Sequence, residues 1–362
     1  MRIVVSAGGT GGHIYPALAI IDKLKKEYKD LEVLYIGTKS RMESEIVPKR
    51  GIPYEGIEIY GFSKNVLKDI KNVFLISNSY RKCIKLIKDF KPDLVLGFGG
   101  YVTYPVIKAA KKLKIKTFLH EQNSLVGKTN RYLSSGVDLV AVSFLSTIEQ
   151  FKKAKKVVYT GNPCGGAALT TKEIKKSEIG FDDKKKLVII VAGSLGSSTM
   201  NDKLKDFLRL SKKENYQILY ITGNKYYEEF VKDTRFSSNV KILPYLDNLS
   251  GLMRNADLVV TRAGASTISE ILALSKPAIF VPSPYVANNH QYYNAKEIVD
   301  ANAGIMIEEK DLNGEYLYKT VKDVLNDKEK YEIMKMNLKN LGKTDSSEII
   351  AKEIREILHE RY

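Results

Sequence analysis

Short apolar segments alternate with amphipathic stretches along almost all of the 362 residues. The apolar segments of the first half read RIVV, LEVLYIG, DLVLGFG, KTFLH and VDLVAVS. Those of the second half read LVIIVAG, YQILYITG, VKILPYL, DLVVTRAG and PAIFVPS. Helical patterns such as PALAIIDKLKKEY and STISEILAL lie between them. This alternation predicts an α/β fold with parallel sheets and right-handed crossovers.

The two halves follow one plan, which predicts two domains, as the chain length also suggests. IVVSAGGTGGH corresponds to VIIVAGSLGSS, and KPDLVLGFGGYVTYPVIKAA corresponds to NADLVVTRAGASTISEILAL. We therefore expect two doubly wound, Rossmann-like domains that face each other across a cleft, residues 1–160 and 161–343. The Gly- and Pro-containing segment 159–173 predicts a hinge between them. Residues 344–362 predict a helix, capped by Asp345 or Ser346, that packs back on the first domain.

The positive charge is concentrated in the first domain. The chain has a net charge of +16; residues 1–160 contain 28 Lys and Arg against 14 Asp and Glu, and the remainder contains 30 against 28. A basic half indicates a nucleic acid, a phosphorylated substrate or an anionic lipid surface as partner, although a solvated basic surface explains the charge equally well. No nucleic-acid-binding module is recognisable, so we expect no nucleic-acid partner.

Cysteine content and hydropathy favour a reduced, cytoplasmic protein. The two cysteines form neither a disulfide framework nor a metal cluster. No segment approaches the roughly 20 apolar residues that span a bilayer, and the start of the chain does not have the pattern of a signal peptide.

The stretch SAGGTGGHIYPALAI (6–20) places four glycines between a predicted strand and a predicted helix. It is not a Walker A motif, and the dinucleotide fingerprint fails because Ile14 occupies the third glycine position. GFGGYV (97–102) fails the same test at Val102. Such loops fall at the carboxyl ends of strands, where open α/β sheets bind ligands. Their helix N-termini therefore predict an anionic ligand.

Polar residues beside these loops are candidates for further chemistry. His13 can take a proton from an incoming hydroxyl, or it can cap the loop, which local sequence favours. Asn123 in HEQN (120–123) can bind a sugar hydroxyl, or the segment is an ordinary polar loop. In RAGASTISE (262–270), Glu270 can accept hydrogen bonds from a ribose diol or belong to a capping box. The helix start there offers phosphate-binding N–H groups from Ala265, Ser266, Thr267 and Ile268.

Seven motifs occur in an informative order: GGTGGHIYPALA, GFGGYVTYP, HEQN, GNP, GSLGS, TRAGASTISE and NNHQYYNA. Together they resemble the GT-B glycosyltransferases, and among these the MurG family of bacterial N-acetylglucosaminyltransferases. The resemblance implies inverting transfer of N-acetylglucosamine from UDP-N-acetylglucosamine to the C4 hydroxyl of undecaprenyl-diphospho-N-acetylmuramoyl-pentapeptide (lipid I), which gives lipid II for peptidoglycan. It implies an acceptor-binding first domain, a donor-binding second domain, and peripheral attachment to the cytoplasmic face of the cell membrane.

The same resemblance assigns roles to residues. It implies His13 as the catalytic base, with Glu121 as a rival. The implied substrate-binding residues are Thr10, Gly11, Gly12, Asn123, Ser194, Leu246, Arg262, Ala265, Ser266, Thr267, Ile268, Ser269, Glu270, His290 and Gln291. Because no Asp-x-Asp motif lies near the donor loops, we expect no obligatory metal or other cofactor, and stabilisation of the departing UDP by helix N-termini.

Two positions depart from the family pattern. Family members usually carry an arginine shortly after GNP, whereas Cys164, Gly165 and Gly166 follow here. Arg262 is the candidate that could supply the missing charge. Leu195 stands where the family commonly has a glutamine.

Residues 62–88 combine apolar positions at helical spacing with flanking lysines and arginines. This pattern is typical of a helix that lies on an anionic membrane surface, and equally of one that packs its apolar face on a sheet. Two functional alternatives also stay open: another UDP-sugar GT-B transferase with a lipid acceptor, and a non-catalytic UDP-sugar sensor. A UDP-sugar epimerase and a nucleic-acid-binding protein are less well supported.

Overall fold

A computed structural model of the chain describes residues 1–61, 66–193, 196, 198–232 and 236–359. The chain divides into two compact units: Met1–Cys164 together with Asp345–Tyr362, and Gly165–Thr344. Each unit contains one parallel β-sheet with crossover helices. The predicted fold class, two doubly wound Rossmann-like α/β domains, is confirmed.

The sheet of the first unit has seven parallel strands in the order β3-β2-β1-β4-β5-β6-β7. These strands are β1 Arg2–Ser6, β2 Glu32–Thr38, β3 Tyr54–Ile57, β4 Leu94–Gly97, β5 Lys116–Glu121, β6 Leu139–Val142 and β7 Val157–Tyr159. The helices are α1 Gly11–Glu27, α2 Glu43–Ile46, α3 Val66–Phe90, α4 Thr103–Lys112 and α5 Lys128–Leu133. Because the central strands are covered on both faces, their sequences are almost continuously apolar, as in Ile3, Val4 and Val5 of β1, which are fully buried.

The second unit begins within α6 (Pro163–Thr170) and contains a six-stranded parallel sheet in the order β10-β9-β8-β11-β12-β13. Its strands are β8 Lys186–Val191, β9 Tyr216–Ile221, β10 Val240–Leu243, β11 Leu258–Thr261, β12 Ala278–Phe280 and β13 Ile305–Met306. Its other helices are α7 Ser198–Leu210, α8 Tyr227–Lys232, α9 Leu249–Met253, α10 Ala265–Leu274, α11 His290–Asp300, α12 Gly314–Asn326 and α13 Lys328–Leu341.

The last helix, α14 (Ser346–His359), belongs to the first unit and packs on α1. Ile350 and Ile354 are fully buried in the same core cluster as the residues of α1. At its rim, Lys23 Nζ lies 2.8 Å from a carboxylate oxygen of Glu348. The helix is therefore held by an apolar stripe and by ion pairs at its edge.

The segment 159–173, which was predicted as a hinge, contains the boundary between the two units and forms helix α6 over Pro163–Thr170. Its Gly165 and Gly166 provide close packing: a Cβ at Gly165 would lie 2.9 Å from the carbonyl oxygen of Ser269.

Along the described residues, no helix has the length and apolar content needed to cross a membrane.

Candidate functional site

Three loops of the first unit meet at the carboxyl ends of β1, β4 and β5. Gly8 N–H donates to the Gly99 carbonyl at 3.3 Å, and Thr103 Oγ1 donates to the same carbonyl at 2.8 Å. Gln122 Nε2, after β5, donates to the Phe98 carbonyl at 2.6 Å. These bonds fix the loops that contain GGTGGH, GFGG and HEQN against one another.

Two glycines of the second loop are required by this close approach. Gly99 and Gly100 have φ angles of 101° and 82°, which favour glycine. A Cβ at Gly99 would lie 2.8 Å from Cδ2 of His13, and one at Gly100 would lie 2.4 Å from the Gly8 carbonyl oxygen. The backbone of this loop therefore forms one wall beside the His13 ring.

The His13 ring is oriented by the glycine loop that precedes it. Its Nδ1 lies 3.0 Å from the Gly8 carbonyl oxygen and 3.4 Å from Thr10 Oγ1. Because a carbonyl oxygen can only accept, the shorter bond requires the proton on Nδ1, and Nε2 is then the basic nitrogen. The geometry therefore presents His13 Nε2 as a proton acceptor. A second imidazole, that of His120, lies nearby, and burial together with the charge of His13 lowers its pKa to about 4.

The residues that precede His13 form the open start of α1. Thr10 is exposed and has an extended backbone, with φ −144° and ψ 156°, and its side chain makes no cap hydrogen bond. The N–H groups of Gly11 and Gly12 lie in the first turn, where a helix provides no internal acceptors. This helix start is therefore suited to an anionic oxygen.

Glu121 is held differently from His13, since both of its oxygens anchor a loop. It is almost fully buried, and its Oε1 accepts from Asn123 N–H at 3.1 Å. Its Oε2 accepts from Gly127 N–H at 3.1 Å and from Asn130 Nδ2 at 2.9 Å. Burial raises the pKa of Glu121, and these hydrogen bonds oppose that rise. The carboxylate thereby fixes the loop that carries Asn123.

In the second unit, α10 begins directly after β11 and its turn. Gly264, which precedes the helix, has an extended backbone. The first helical hydrogen bond is donated by the N–H of Ile268 to the carbonyl of Gly264, at 2.9 Å. The N–H groups of Ala265, Ser266 and Thr267 therefore lie in the first turn without helical acceptors. Ser269 Oγ donates to the Ser266 carbonyl at 2.6 Å, so this hydroxyl reinforces the turn. The turn is suited to a phosphate.

Glu270 lies in the next turn of α10. Burial raises the pKa of its carboxyl group to about 7, and a hydrogen bond from Ser250 of α9 opposes that rise. Leu246 lies half-buried in the loop that leads from β10 to α9. A carboxylate in this position can accept two hydrogen bonds from a vicinal diol.

His290 and Gln291 form the first turn of α11. His290 Nδ1 lies 2.9 Å from the Ala287 carbonyl, and burial lowers the pKa of its imidazole. Gln291 Oε1 accepts from Ser283 N–H at 2.9 Å. Asn294 Nδ2 donates to the Ala263 carbonyl at 3.2 Å, which joins α11 to the turn before α10.

Arg262 turns into the interior of the second unit. Its guanidinium lies 2.5 Å from Glu309 and donates to the Val281 carbonyl at 3.2 Å, and both side chains of the ion pair are buried. Its charge is therefore balanced internally by Glu309. Ser194 lies outside the described residues.

No group of three His, Cys, Asp or Glu side chains that could hold a metal ion occurs in the part of the chain that the structure describes.

One residue beside the glycine loop of the first unit was not predicted from the sequence. Glu43 is fully buried, and its Oε2 accepts from Gly9 N–H at 3.1 Å. No sequence signal separates it from exposed Glu45, two residues later in the same short helix.

Comparison with known proteins places both halves in one family. The Glycosyltransferase family 28 N-terminal domain matches residues 3–142, and the Glycosyltransferase family 28 C-terminal domain matches residues 187–352. A relative from Bacillus cytotoxicus is 43% identical, covering 99% of this chain and 100% of its own length. It is named UDP-N-acetylglucosamine–N-acetylmuramyl-(pentapeptide) pyrophosphoryl-undecaprenol N-acetylglucosamine transferase.

Solved structures agree with this result. The crystal structure of MurG from Acinetobacter baumannii is 28% identical, with a TM-score of 0.78, covering 98% of this chain and 99% of that one. The S. aureus MnaA–UDP co-structure is 18% identical, with a TM-score of 0.70, and the match covers 99% of this chain and 97% of that one. At that identity, the second comparison shows only a shared fold.

Proposed function

This chain belongs to glycosyltransferase family 28, and we propose that it transfers N-acetylglucosamine from UDP-N-acetylglucosamine to the C4 hydroxyl of lipid I, producing lipid II and UDP. Relatives with this activity in their names align with the chain from end to end, such as the one from Bacillus cytotoxicus. The function carried by those names agrees with the two helix N-termini suited to phosphate and with the orientation of His13.

The donor is assigned to the second unit. The first turn of α10 would bind the diphosphate through the N–H groups of Ala265, Ser266 and Thr267. Glu270 would accept hydrogen bonds from the ribose hydroxyls, and the backbone near Leu246 would bind the uracil. His290 and Gln291, at the start of α11, would contact the sugar of the donor.

The first unit is assigned to the acceptor and to its activation. His13 Nε2 would take the proton from the C4 hydroxyl as that oxygen attacks C1 of N-acetylglucosamine. The C1–O bond to the diphosphate breaks, UDP leaves with the electron pair, and the displacement inverts C1 to give a β-1,4 linkage. The Nδ1 contact with the Gly8 carbonyl is the observation that carries this assignment, because it leaves the basic lone pair on Nε2.

An anionic membrane surface is the proposed site of action, on its cytoplasmic face, because the acceptor carries an undecaprenyl chain. Val73 and Phe74 of α3 are 56% and 68% exposed, so this part of the apolar stripe does not pack on the sheet. Phe74, Arg81, Lys85 and Lys88 recur at helical spacing on the exposed side of α3. Exposed apolar groups beside cations are typical of binding to anionic lipid.

A transfer assay tests this function directly. Radiolabelled UDP-N-acetylglucosamine and a short-chain lipid I analogue should yield labelled lipid II analogue, and UDP-glucose should not replace the donor. We expect His13→Ala to lower kcat by about 100-fold or more, the usual contribution of a general base. The affinity for UDP-N-acetylglucosamine should change less than kcat, since most of the proposed donor-binding residues lie in the second unit, although Thr10, Gly11 and Gly12 lie in the first.

Glu121→Gln is the comparison variant for the base assignment. An amide would place NH₂ against N–H donors, so this variant should lose thermal stability. A loss of kcat as large as that of His13→Ala, at unchanged melting temperature, would identify Glu121 as the base. No transfer by the wild type, with intact donor binding, would favour a UDP-sugar sensor.

A further inference from the structure

One peptide group connects His13 with a buried carboxylate. His13 Nδ1 bonds the carbonyl oxygen of Gly8, at 3.0 Å, and Glu43 Oε2 accepts from the N–H of Gly9, at 3.1 Å. That carbonyl and that N–H belong to the same planar amide, between Gly8 and Gly9. The carboxylate, the amide and the imidazole therefore form a continuous hydrogen-bonded series.

The carboxylate is fixed from its other side as well. Glu43 Oε1 accepts from Thr38 N–H at 3.1 Å and from Thr38 Oγ1 at 2.6 Å, at the end of β2. The Glu43 side chain is fully buried. Each oxygen thus has its own donors, and the carboxylate is held between β2 and the glycine loop.

The glycine loop lies directly against this carboxylate. A Cβ at Gly8 would be 2.3 Å from Glu43 Oε1, too close for any side chain. Tyr35 Oη, also from β2, donates to the Ala7 carbonyl at 3.0 Å, one residue earlier in the loop. The amide between Gly8 and Gly9 is therefore held in one orientation, with its carbonyl toward His13.

We propose that Glu43 is a positioning residue for His13, acting through the Gly8–Gly9 amide. Its negative charge polarises the amide, which strengthens the carbonyl oxygen as acceptor for the Nδ1 proton. This favours the tautomer with Nε2 basic over the alternative in which Thr10 Oγ1 donates to Nδ1. The catalytic meaning of this arrangement rests on the proposed function, but the arrangement itself does not.

The tautomer of His13 can be measured without substrate. The chain has four histidines, His13, His120, His290 and His359, so the full-length protein labelled with ¹⁵N-histidine gives few ring signals. Long-range ¹H–¹⁵N spectra at about pH 9, above the ordinary histidine pKa, report which nitrogen carries the proton. His13→Ala identifies the signals of His13. We expect Nδ1–H to predominate in the wild type.

Glu43→Gln should shift the ratio of Nδ1–H to Nε2–H by about three- to ten-fold toward Nε2–H. Thr38→Val is the matched control, because it removes a hydrogen bond to Oε1 and leaves the Gly9 contact of Oε2. It should lower the melting temperature without moving the His13 signals. If Glu43→Gln does not fold, Glu43→Asp replaces it, with a smaller shift in the same direction.

An unchanged His13 tautomer in folded Glu43→Gln would overturn the proposal, and so would an equal shift in Thr38→Val. Kinetics provide the second readout: kcat should fall by about 10-fold in Glu43→Gln, with the donor KM within about two-fold of wild type. A shifted tautomer with unchanged kcat would retain the positioning role but reject His13 as the base. Failure of the proposed function is thus distinguishable from failure of this inference.

Discussion

At the scale of single residues, the carboxylates Glu121 and Glu270 differ in what surrounds them. Both oxygens of Glu121 accept hydrogen bonds from its own loop, whereas Glu270 receives a hydrogen bond from Ser250 and its pKa is raised to about 7. A carboxyl group that titrates near neutrality makes ligand binding sensitive to pH. If Glu270 binds the donor as proposed, its protonation changes the donor affinity.

Donor affinity should fall as the pH decreases through about 7. In the proposed donor site, deprotonated Glu270 would accept charge-assisted hydrogen bonds from the ribose hydroxyls, and the protonated form would accept weaker ones. The raised pKa means that protonation begins well above the usual range for glutamate. If only the deprotonated form binds, UDP-N-acetylglucosamine should bind about 10-fold more weakly at pH 6 than at pH 8, as titration calorimetry can measure.

Glu270→Gln is the control for this pH dependence. It should bind the donor weakly at both pH values, with a nearly flat profile. UDP-N-acetylglucosamine is the suitable probe, because its diphosphate is esterified at both ends and does not titrate in this range. A wild-type slope retained in Glu270→Gln would assign the pH dependence to another group.

Motif residues could be proposed from the sequence because their spacing and loop context carry information. The glycine loops follow apolar strands directly, and His13 and Glu270 lie in the helices α1 and α10 that begin after such loops. Glu43 could not be found in this way, because its partners Gly9 and Thr38 come from different strand ends and their contact exists only after folding. The buried ion pair between Arg262 and Glu309, 47 residues apart, could not be predicted from the sequence for the same reason.

At the scale of elements, α6 and α10 pack so closely that the glycine at their contact is constrained. Gly165 stands in the segment where the family commonly has an arginine, and a Cβ there would lie 2.9 Å from the Ser269 carbonyl oxygen. The carbonyl oxygen of Ser269 belongs to the backbone of α10, so it cannot move away unless the helix shifts. This position therefore excludes a larger side chain in the present arrangement.

Gly165→Arg should destabilise the protein rather than tighten donor binding. Overpacking of this kind costs about 1–3 kcal/mol, which corresponds to a decrease in melting temperature of about 5 °C. Differential scanning calorimetry measures the decrease. Ala167→Arg, at an exposed position of the same helix, should have little effect. Unchanged stability with tighter binding of UDP-N-acetylglucosamine would show that α6 can accommodate the arginine.

The elements themselves were largely predictable from the sequence. All ten predicted strands are present, because strands buried on both faces leave long apolar runs. The strands that were not predicted, β3, β7 and β13, lie at sheet edges, are two to four residues long and are only partly buried. Their short sequences carry too little hydropathy signal to be distinguished from loops.

At the scale of the whole molecule, the concentration of positive charge in residues 1–160 agrees with the proposed membrane surface of α3. Each cation near an anionic surface contributes roughly 1 kcal/mol. Arg81, Lys85 and Lys88 are exposed, whereas Lys82 forms an ion pair with Glu55 at 2.8 Å. Lys85 and Lys88 are therefore the better positions for charge reversal.

Lys85→Glu combined with Lys88→Glu should weaken binding to anionic phosphatidylglycerol vesicles by about 10-fold or more. Co-sedimentation at low salt measures this binding, and added salt should reduce it in the wild type. Lys152→Glu combined with Lys153→Glu makes the same charge change at exposed positions of the same unit. An equal loss in both double variants would indicate a response to net charge alone.

Helix α14 closes the first unit with residues that follow the entire second unit in the chain. During synthesis, the ribosome therefore completes Gly165–Thr344 before the residues that cover α1 exist. Until then, the apolar residues of α1 that α14 buries lack the helix that covers them. In the order of the chain, the second unit thus stands between two segments of the first, and both connections have to be kept for α14 to reach α1.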